Sequence, residues 1–226
     1  MTGCIIVAAG RGTRFKSKTP KTFFLLQNSP MLEYSLRTFS NCALIDEIVL
    51  VLQKRFIQSK YVSSWKWCFP KIKAVVSGGK FREESVFNGF VKCSKNCDII
   101  LVHDGARPFV SCKLIQKVIR GVSRYGACVP AYPINGSAKL VRNGRLIRTI
   151  TEKGIEIAQT PQGFSRQVLE KIFSLRENNL RNYPDESSMC EVSGLPVRMI
   201  KGDATNIKIT TREDLKIAHA LLKIKS

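Results

Sequence analysis

The feature that most constrains this chain is an alternation of short, mostly apolar runs of β-branched residues with stretches of helical spacing. Cys4–Ala9, Glu47–Leu52, Ile72–Val76, Ile99–His103 and Ala127–Ala131 each read as a strand with little polar alternation, which requires cover on both faces. Between them, Met31–Phe39 has the spacing of a helix. Leu114, Ile115, Val118, Ile119 and Val122 form a second helical stripe, with Ser111 placed as its N-cap. Val197–Ile200 and Ile207–Ile209 predict two late strands, followed by a helix through Leu215, Ala218 and Leu222. The pattern is that of an α/β protein with a mainly parallel sheet covered by helices on both faces. In such sheets ligands bind beyond the carboxyl ends of the strands. No repeat or linker divides residues 1–226, which read as one domain.

One segment breaks the alternation. Residues 137–150 are centred on Asn143-Gly144, the strongest short signal for a two-residue type I′ hairpin. Counting outward pairs Arg142 with Arg145, Val141 with Leu146, Leu140 with Ile147 and Lys139 with Arg148. Two of those pairs set like charges opposite each other, which is destabilising. A two-stranded hairpin does not stand alone in water. An arm over about 134–153 must therefore pack either on another subunit or back on its own sheet.

Charge and cysteine usage bound the function classes. The chain carries 37 Lys+Arg against 17 Asp+Glu, a formal +20 that suggests an anionic partner. The excess divides evenly, +11 over residues 1–113 and +9 over 114–226, so there is no basic tail. No helix-turn-helix, zinc-finger or single-strand-binding aromatic pattern accompanies it, which argues against a nucleic-acid partner. The eight cysteines include no CxxC pair, and two histidines leave a Cys/His zinc site little to draw on. Residues 1–10 lack a basic leader, and no apolar run is long enough to span a bilayer. A reduced, cytoplasmic setting without membrane contact is expected.

Four segments could carry chemistry. The first strand runs into Ala8-Ala9-Gly10-Arg11-Gly12-Thr13-Arg14, then Pro20-Lys21. Small residues after a strand let backbone N–H groups approach phosphates, and cations answer their charge. The loop fails as a dinucleotide fingerprint, because Phe15 holds the third glycine position, and Gly79-Lys80-Phe81 fails the Walker pattern. Asp104, in Val102-His-Asp-Gly-Ala-Arg-Pro108, ends a strand where a Mg²⁺ could bridge triphosphate oxygens. His103 reads as a buried strand residue, since no nucleophile pattern surrounds it. In Ser77-Gly78-Gly79-Lys-Phe-Arg-Glu-Glu-Ser85-Val the glycines would let backbone approach a flat base, and Asn206-Ile-Lys208-Ile-Thr aims one lysine toward its polar neighbours.

Together these blocks match a family. The chain resembles the 2-C-methyl-D-erythritol 4-phosphate cytidylyltransferases of the non-mevalonate isoprenoid pathway, nearly end to end. The match runs through Ala8-Ala-Gly-x-Gly-x-Arg14 with Pro20-Lys21, Gly78-Gly79-x-x-Arg82-x-x-Ser85-Val86 and Val102-His-Asp-x-Ala-Arg-Pro108. It continues through Gln159-Thr-Pro-Gln162-x-Phe164, Asp185-Glu186 and Asn206-Ile-Lys208-Ile-Thr. The resemblance implies a Rossmann-like nucleotidyltransferase, a homodimer with interlocked arms, and CTP with Mg²⁺ as a cofactor in the site. The implied reaction is attack of a sugar-alcohol phosphate on the α-phosphorus of CTP. By resemblance Arg14 and Lys21 stabilise the transition state, and Asp104 holds the metal. Ala8, Ala9, Gly10, Gly12, Gly78, Gly79 and Ser85 hold the nucleotide. Arg107, Ser137 and Lys208 face the acceptor, with Glu152, Lys153 and Thr205 at further acceptor-side positions.

Departures from the family pattern cluster on the acceptor side. An Asp-Thr pair is Gly136-Ser137 here, and an acceptor-orienting arginine is Glu152, a charge reversal. A threonine is Pro184, and the acidic residue before Asn206 is displaced to Asp203, leaving Thr205. On the nucleotide side an aspartate is Lys80. Arg148 or Lys153 is the expected replacement for the missing arginine, unless the register slips by one and Lys153 occupies the position directly. These departures keep open a ribitol 5-phosphate or other polyol phosphate acceptor. A paralogue that binds CTP without turnover and a non-catalytic nucleic-acid-binding protein are the readings from other classes.

Overall fold

In the computed structural model, residues 1–10, 15, 19–151, 153–175 and 183–225 are described. In chain order the strands and helices begin β1 (Thr2–Val7), β2 (Leu25–Leu26), β3 (Ser29–Pro30), α1 (Met31–Asn41), β4 (Glu47–Leu52), α2 (Lys60–Cys68), β5 (Ile72–Ser77), α3 (Arg82–Phe90) and β6 (Ile99–Asp104). They continue with α4 (Cys112–Tyr125), β7 (Ala127–Pro133), β8 (Lys139–Arg142), β9 (Arg145–Thr149), β10 (Glu156–Ala158) and β11 (Gln162–Ser165). The chain ends with α5 (Arg166–Ser174), α6 (Glu186–Val192), β12 (Arg198–Lys201) and α7 (Arg212–Lys225).

Among the described residues eight strands form one sheet. β1 lies between β4 and β6, β5 flanks β4, and β12 flanks β7, all in parallel pairs. β11 runs antiparallel between β6 and β7, and β10 pairs antiparallel with β7. The strand period of two explains the layers. Cys4 and Ile6 of β1, with Ile48, Leu50 and Leu52 of β4, face α1, α2 and α4. Ile5, Val49 and Val51 face α3, α5 and α6 on the opposite side. Both faces are buried, which is why these strands read as continuous apolar runs. Ser111 caps α4 as expected, its hydroxyl accepting from the Leu114 N–H at 3.2 Å.

Three expectations change. Ile207–Ile209 is extended but joins no sheet among the described residues; the Ile209 N–H donates to the Ala106 carbonyl at 2.9 Å, so the segment is tied to a loop instead of a ladder. β10 and β11 carry no β-branched run or clear alternation, and periodicity passed over them. The hairpin has the expected turn, with φ of 50° at Asn143 and 74° at Gly144. Its inner pairs also hold, but a register shift moves the outer ones to Leu140↔Arg148 and Lys139↔Thr149. That irregularity removes the Lys139–Arg148 repulsion and lets the Lys139 ammonium donate to Thr149 Oγ1 at 2.8 Å. The arm does not fold back on its own sheet. Among the described residues β8 and β9 pair only with each other, and Leu140, Val141, Leu146 and Ile147 are 46–61% exposed.

Candidate active site

The ends of four neighbouring strands build one cavity. After β1, the Ala8 N–H still donates to Val51 O at 2.8 Å, but Ala9 and Gly10 leave the sheet, and Gln53 Nε2 holds the Gly10 carbonyl at 3.0 Å. After β5, the Gly78 N–H donates to Leu52 O at 2.8 Å and the loop folds over Ala9. A Cβ on Gly78 would lie 2.3 Å from Ala9 Cβ, and one on Gly79 would lie 2.4 Å from Glu84 Cβ, so only glycine fits at either position. Ser85 Oγ accepts from the Gly79 N–H at 3.1 Å and donates to Phe81 O at 3.0 Å, fixing the loop to the first turn of α3. The cavity measures about 470 Å³, and Ala8, Ala9, Gly10, Lys21, Gly78, Gly79, Ser85, Asp104 and Lys208 all line it. The structure thus brings together nine of the residues singled out from the sequence.

Its electrostatic centre is Asp104, at the carboxyl end of β6. Lys208 Nζ lies 2.7 Å from Asp104 Oδ2, Arg82 Nε 3.7 Å from Oδ1, and Arg107 Nε 3.9 Å from Oδ2. Burial alone would raise the carboxyl pKa, but Arg82 and Lys208 outweigh it and hold Asp104 well below the usual carboxylate range. Lys21 enters from the short helical turn Lys21–Phe23 and donates to the Ile209 carbonyl at 2.6 Å. Lys21 and Lys208 therefore line the same cavity as the bare peptides of Gly78 and Gly79, and Lys54, Lys80 and Arg82 add further positive charge to its lining.

The Gln159-Thr-Pro-Gln162 block has a mechanical role. Asn206 Nδ2 donates to Thr160 O at 2.8 Å, Gln159 Nε2 donates to Asp203 O at 2.8 Å, and the Asp203 N–H donates back to Gln159 Oε1 at 3.1 Å. These bonds bolt the segment carrying Lys208 to the sheet. Thr160 Oγ1 accepts from the Asp104 N–H and contacts His103 Nδ1, both at 3.0 Å, while His103 Nε2 faces Arg107 O at 3.2 Å. A neutral ring protonated on Nε2 satisfies all four groups. Burial drives the His103 pKa down to about 3, so it is structural, as its position in a strand suggested.

Arg107, expected to face the acceptor, is buried and does not line the cavity, donating to Asn206 O at 2.8 Å and Ala158 O at 3.3 Å. Its charge supports Asp104 from below. Ser137 and Lys153 are exposed on the arm and do not line the cavity, and Thr205 is turned aside, its hydroxyl donating to Asp203 Oδ1 at 2.9 Å. Gly12, Arg14 and Glu152 lie outside the described residues.

Sequence reasoning gave no role to Arg82 and Glu186. Glu186 is fully buried; its Oε1 accepts from Arg82 at 2.7 Å, and its Oε2 has no hydrogen-bond partner among the described residues. Burial raises the Glu186 pKa, and the Arg82 charge works against that rise. A usable signal was present: Met189 and Cys190, three and four residues on, place Glu186 on the apolar face of α6. Among the described residues no three His, Cys, Asp or Glu side chains group together as a metal cage. Among those same residues Asp104 is the one carboxylate lining the cavity, a hard oxygen donor. A lone carboxylate is the kind of donor that Mg²⁺ takes when its other ligands are waters and substrate phosphates.

Comparison with known proteins agrees with this geometry. Residues 3–224 match the family described as IspD: 2-C-methyl-D-erythritol 4-phosphate cytidylyltransferase. The chain is 36% identical over 223 residues to the 2-C-methyl-D-erythritol 4-phosphate cytidylyltransferase of Syntrophus aciditrophicus, covering 97% of this chain and 94% of that protein. It is 38% identical over 221 residues to the bifunctional enzyme IspD/IspF of Desulfotalea psychrophila, covering 98% of this chain but only 56% of that longer protein. The crystal structure of 2-C-methyl-D-erythritol 4-phosphate cytidylyltransferase from Thermus thermophilus superposes with a TM-score of 0.80 at 29% identity, covering 99% of this chain and 100% of that one. With its phosphate-ready cavity at the strand ends and a match over nearly its whole length, the chain belongs to the 2-C-methyl-D-erythritol 4-phosphate cytidylyltransferase family.

Proposed function

We propose that the protein transfers the cytidylyl group of CTP to 2-C-methyl-D-erythritol 4-phosphate, releasing pyrophosphate. The observation that carries this reading is the cavity itself: Lys21 and Lys208 converge beside Asp104, and the wall formed by Gly78 and Gly79 has no side chains. The acceptor phosphate has a second pKa near ~6, so it is already largely dianionic at neutral pH and needs no general base. What the chain must supply is alignment and positive charge where charge develops at phosphorus. Lys208, held by Asp104 on a segment bolted to the sheet, orients the attacking phosphate. Lys21 stabilises the departing pyrophosphate. Ala8, Ala9 and Gly10 offer backbone to the phosphates, and Gly78, Gly79 and Ser85 cradle the base. When bound, Mg²⁺ would neutralise phosphate oxygens, with Asp104 as the residue placed to hold it.

The arm supports a homodimer. Its exposed Leu140, Val141, Leu146 and Ile147 form a surface that a second copy would cover, bringing Ser137 and Lys153 toward a neighbouring cavity. Eight free cysteines suit a reducing cytoplasm, and no described helix is long and apolar enough to cross a membrane. Pyrophosphate release should be measured with CTP and Mg²⁺ and either 2-C-methyl-D-erythritol 4-phosphate or ribitol 5-phosphate. Release with the first and little with the second is expected; faster release with ribitol 5-phosphate would reassign the acceptor.

A further inference from the structure

We infer that Phe81 is a stacking platform for the cytosine ring and so sets nucleotide affinity, an inference that rests on the CTP reading. Phe81 occupies the N-cap of α3, where Ser, Asp, Asn or Thr is preferred because a side-chain oxygen can accept from the helix. Phenylalanine makes no such bond, so the position contributes nothing to capping. The ring instead stays 37% exposed and belongs to the cavity lining. The Lys80 ammonium lies 5.3 Å from its centroid, within cation–π range.

The ring's place in the loop assigns its ligand. Just before Lys80 and Phe81, the loop shows the bare peptides of Gly78 and Gly79, which tolerate no Cβ. One residue after Phe81, Arg82 reaches toward Asp104 at 3.7 Å, where phosphate charge is answered. Phe81 thus lies in the loop between the bare glycine peptides and Arg82, and all of them line one cavity, on the side that the CTP reading gives to the base. Every base has a π-face, and aromatic side chains are the usual surfaces on which bases stack.

CTP binding with Mg²⁺ and no acceptor, followed by titration calorimetry, tests Phe81 without requiring turnover. Phe81→Ala and Phe81→Leu should each weaken CTP about ten-fold or more, as expected for loss of a base–aromatic stack, while Phe81→Trp stays within about two-fold of the unaltered protein. Inorganic tripolyphosphate, which has no base, should bind all four proteins alike. CTP affinity within about two-fold for the Leu variant, or equal loss of CTP and tripolyphosphate, would overturn the inference. An unaltered protein that binds CTP but releases no pyrophosphate with any acceptor would break the transfer reading and leave the Phe81 result standing.

Discussion

The cavity at the strand ends and the hairpin arm are built on opposite terms. Around the cavity, the described loops are tied to the sheet by bonds within one chain: Gln53 to Gly10, Ser85 to Gly79, Asn206 to Thr160. The arm has two short strands paired only with each other among the described residues, and its apolar side chains face outward. The described cavity wall is thus held within one chain, whereas the arm is exposed and lies off the cavity lining. Exposed arm positions such as Gly136 can change without disturbing the sheet, while Gly78 and Gly79 cannot.

The largest effect should come from the charged centre. Lys208→Ala removes a cation 2.7 Å from Asp104 and should lower kcat about 10²–10³-fold, as loss of a preorganised charge stabiliser does, with some loss of stability because buried Asp104 loses its nearest partner; steady-state pyrophosphate release measures the first. Gly78→Ala tests the rigid half directly. The added methyl collides with Ala9 and should cost about 1–3 kcal/mol of stability through overpacking, read by denaturant unfolding, together with a raised KM for CTP. If it is neutral, the loop is not as constrained as its contacts indicate.

A third test uses pH. His103 is held neutral to about 3 by burial, while an unfolded histidine protonates near 6.5. As pH falls from 6.5 toward 4, the unfolded state gains a proton that the folded state refuses, so stability falls, by up to about 1.4 kcal/mol per pH unit. Glu186, whose folded pKa is raised, gives the opposite slope in the lower part of this window. Below it the lowered Asp98, Asp185 and Asp214 add their own acid losses. His103→Asn should flatten the slope between pH 6.5 and 5 in urea titrations. The arm predicts the smallest effect on stability and a large one on assembly. Val141→Asp or Leu146→Asp should change unfolding of the monomer by about 0.5 kcal/mol or less, since both sites are exposed within one chain, yet shift sedimentation from dimer to monomer. Unchanged sedimentation would remove the arm from the interface.

How much of this was legible in the sequence follows the same division. β1, β4 and β6 announce themselves because burial on both faces demands continuous apolar runs, and α4 because its stripe and cap agree. β10 and β11 are three and four residues long and carry no such pattern. Ile207–Ile209 alternates like a strand because Ile209 is buried against a loop and Lys208 points to the cavity, not because it joins a sheet. Arg107 was given an acceptor role by family resemblance; its burial depends on the carbonyls of Asn206 and Ala158, far away in sequence. The Arg82–Glu186 pair spans 104 positions and is invisible to any local pattern.

The excess of positive charge is only partly explained. Lys21 and Lys208 line the cavity and Arg107 supports it, but most of the 37 basic residues have no assigned task. Transfer itself turns on the α-phosphorus of CTP. The most direct measurement follows CTP labelled at that atom through incubation with Mg²⁺ and 2-C-methyl-D-erythritol 4-phosphate. The account predicts label in a cytidine diphosphate alcohol and unlabelled pyrophosphate released in equal amount. Label recovered only as CTP, or as free CMP, would contradict it.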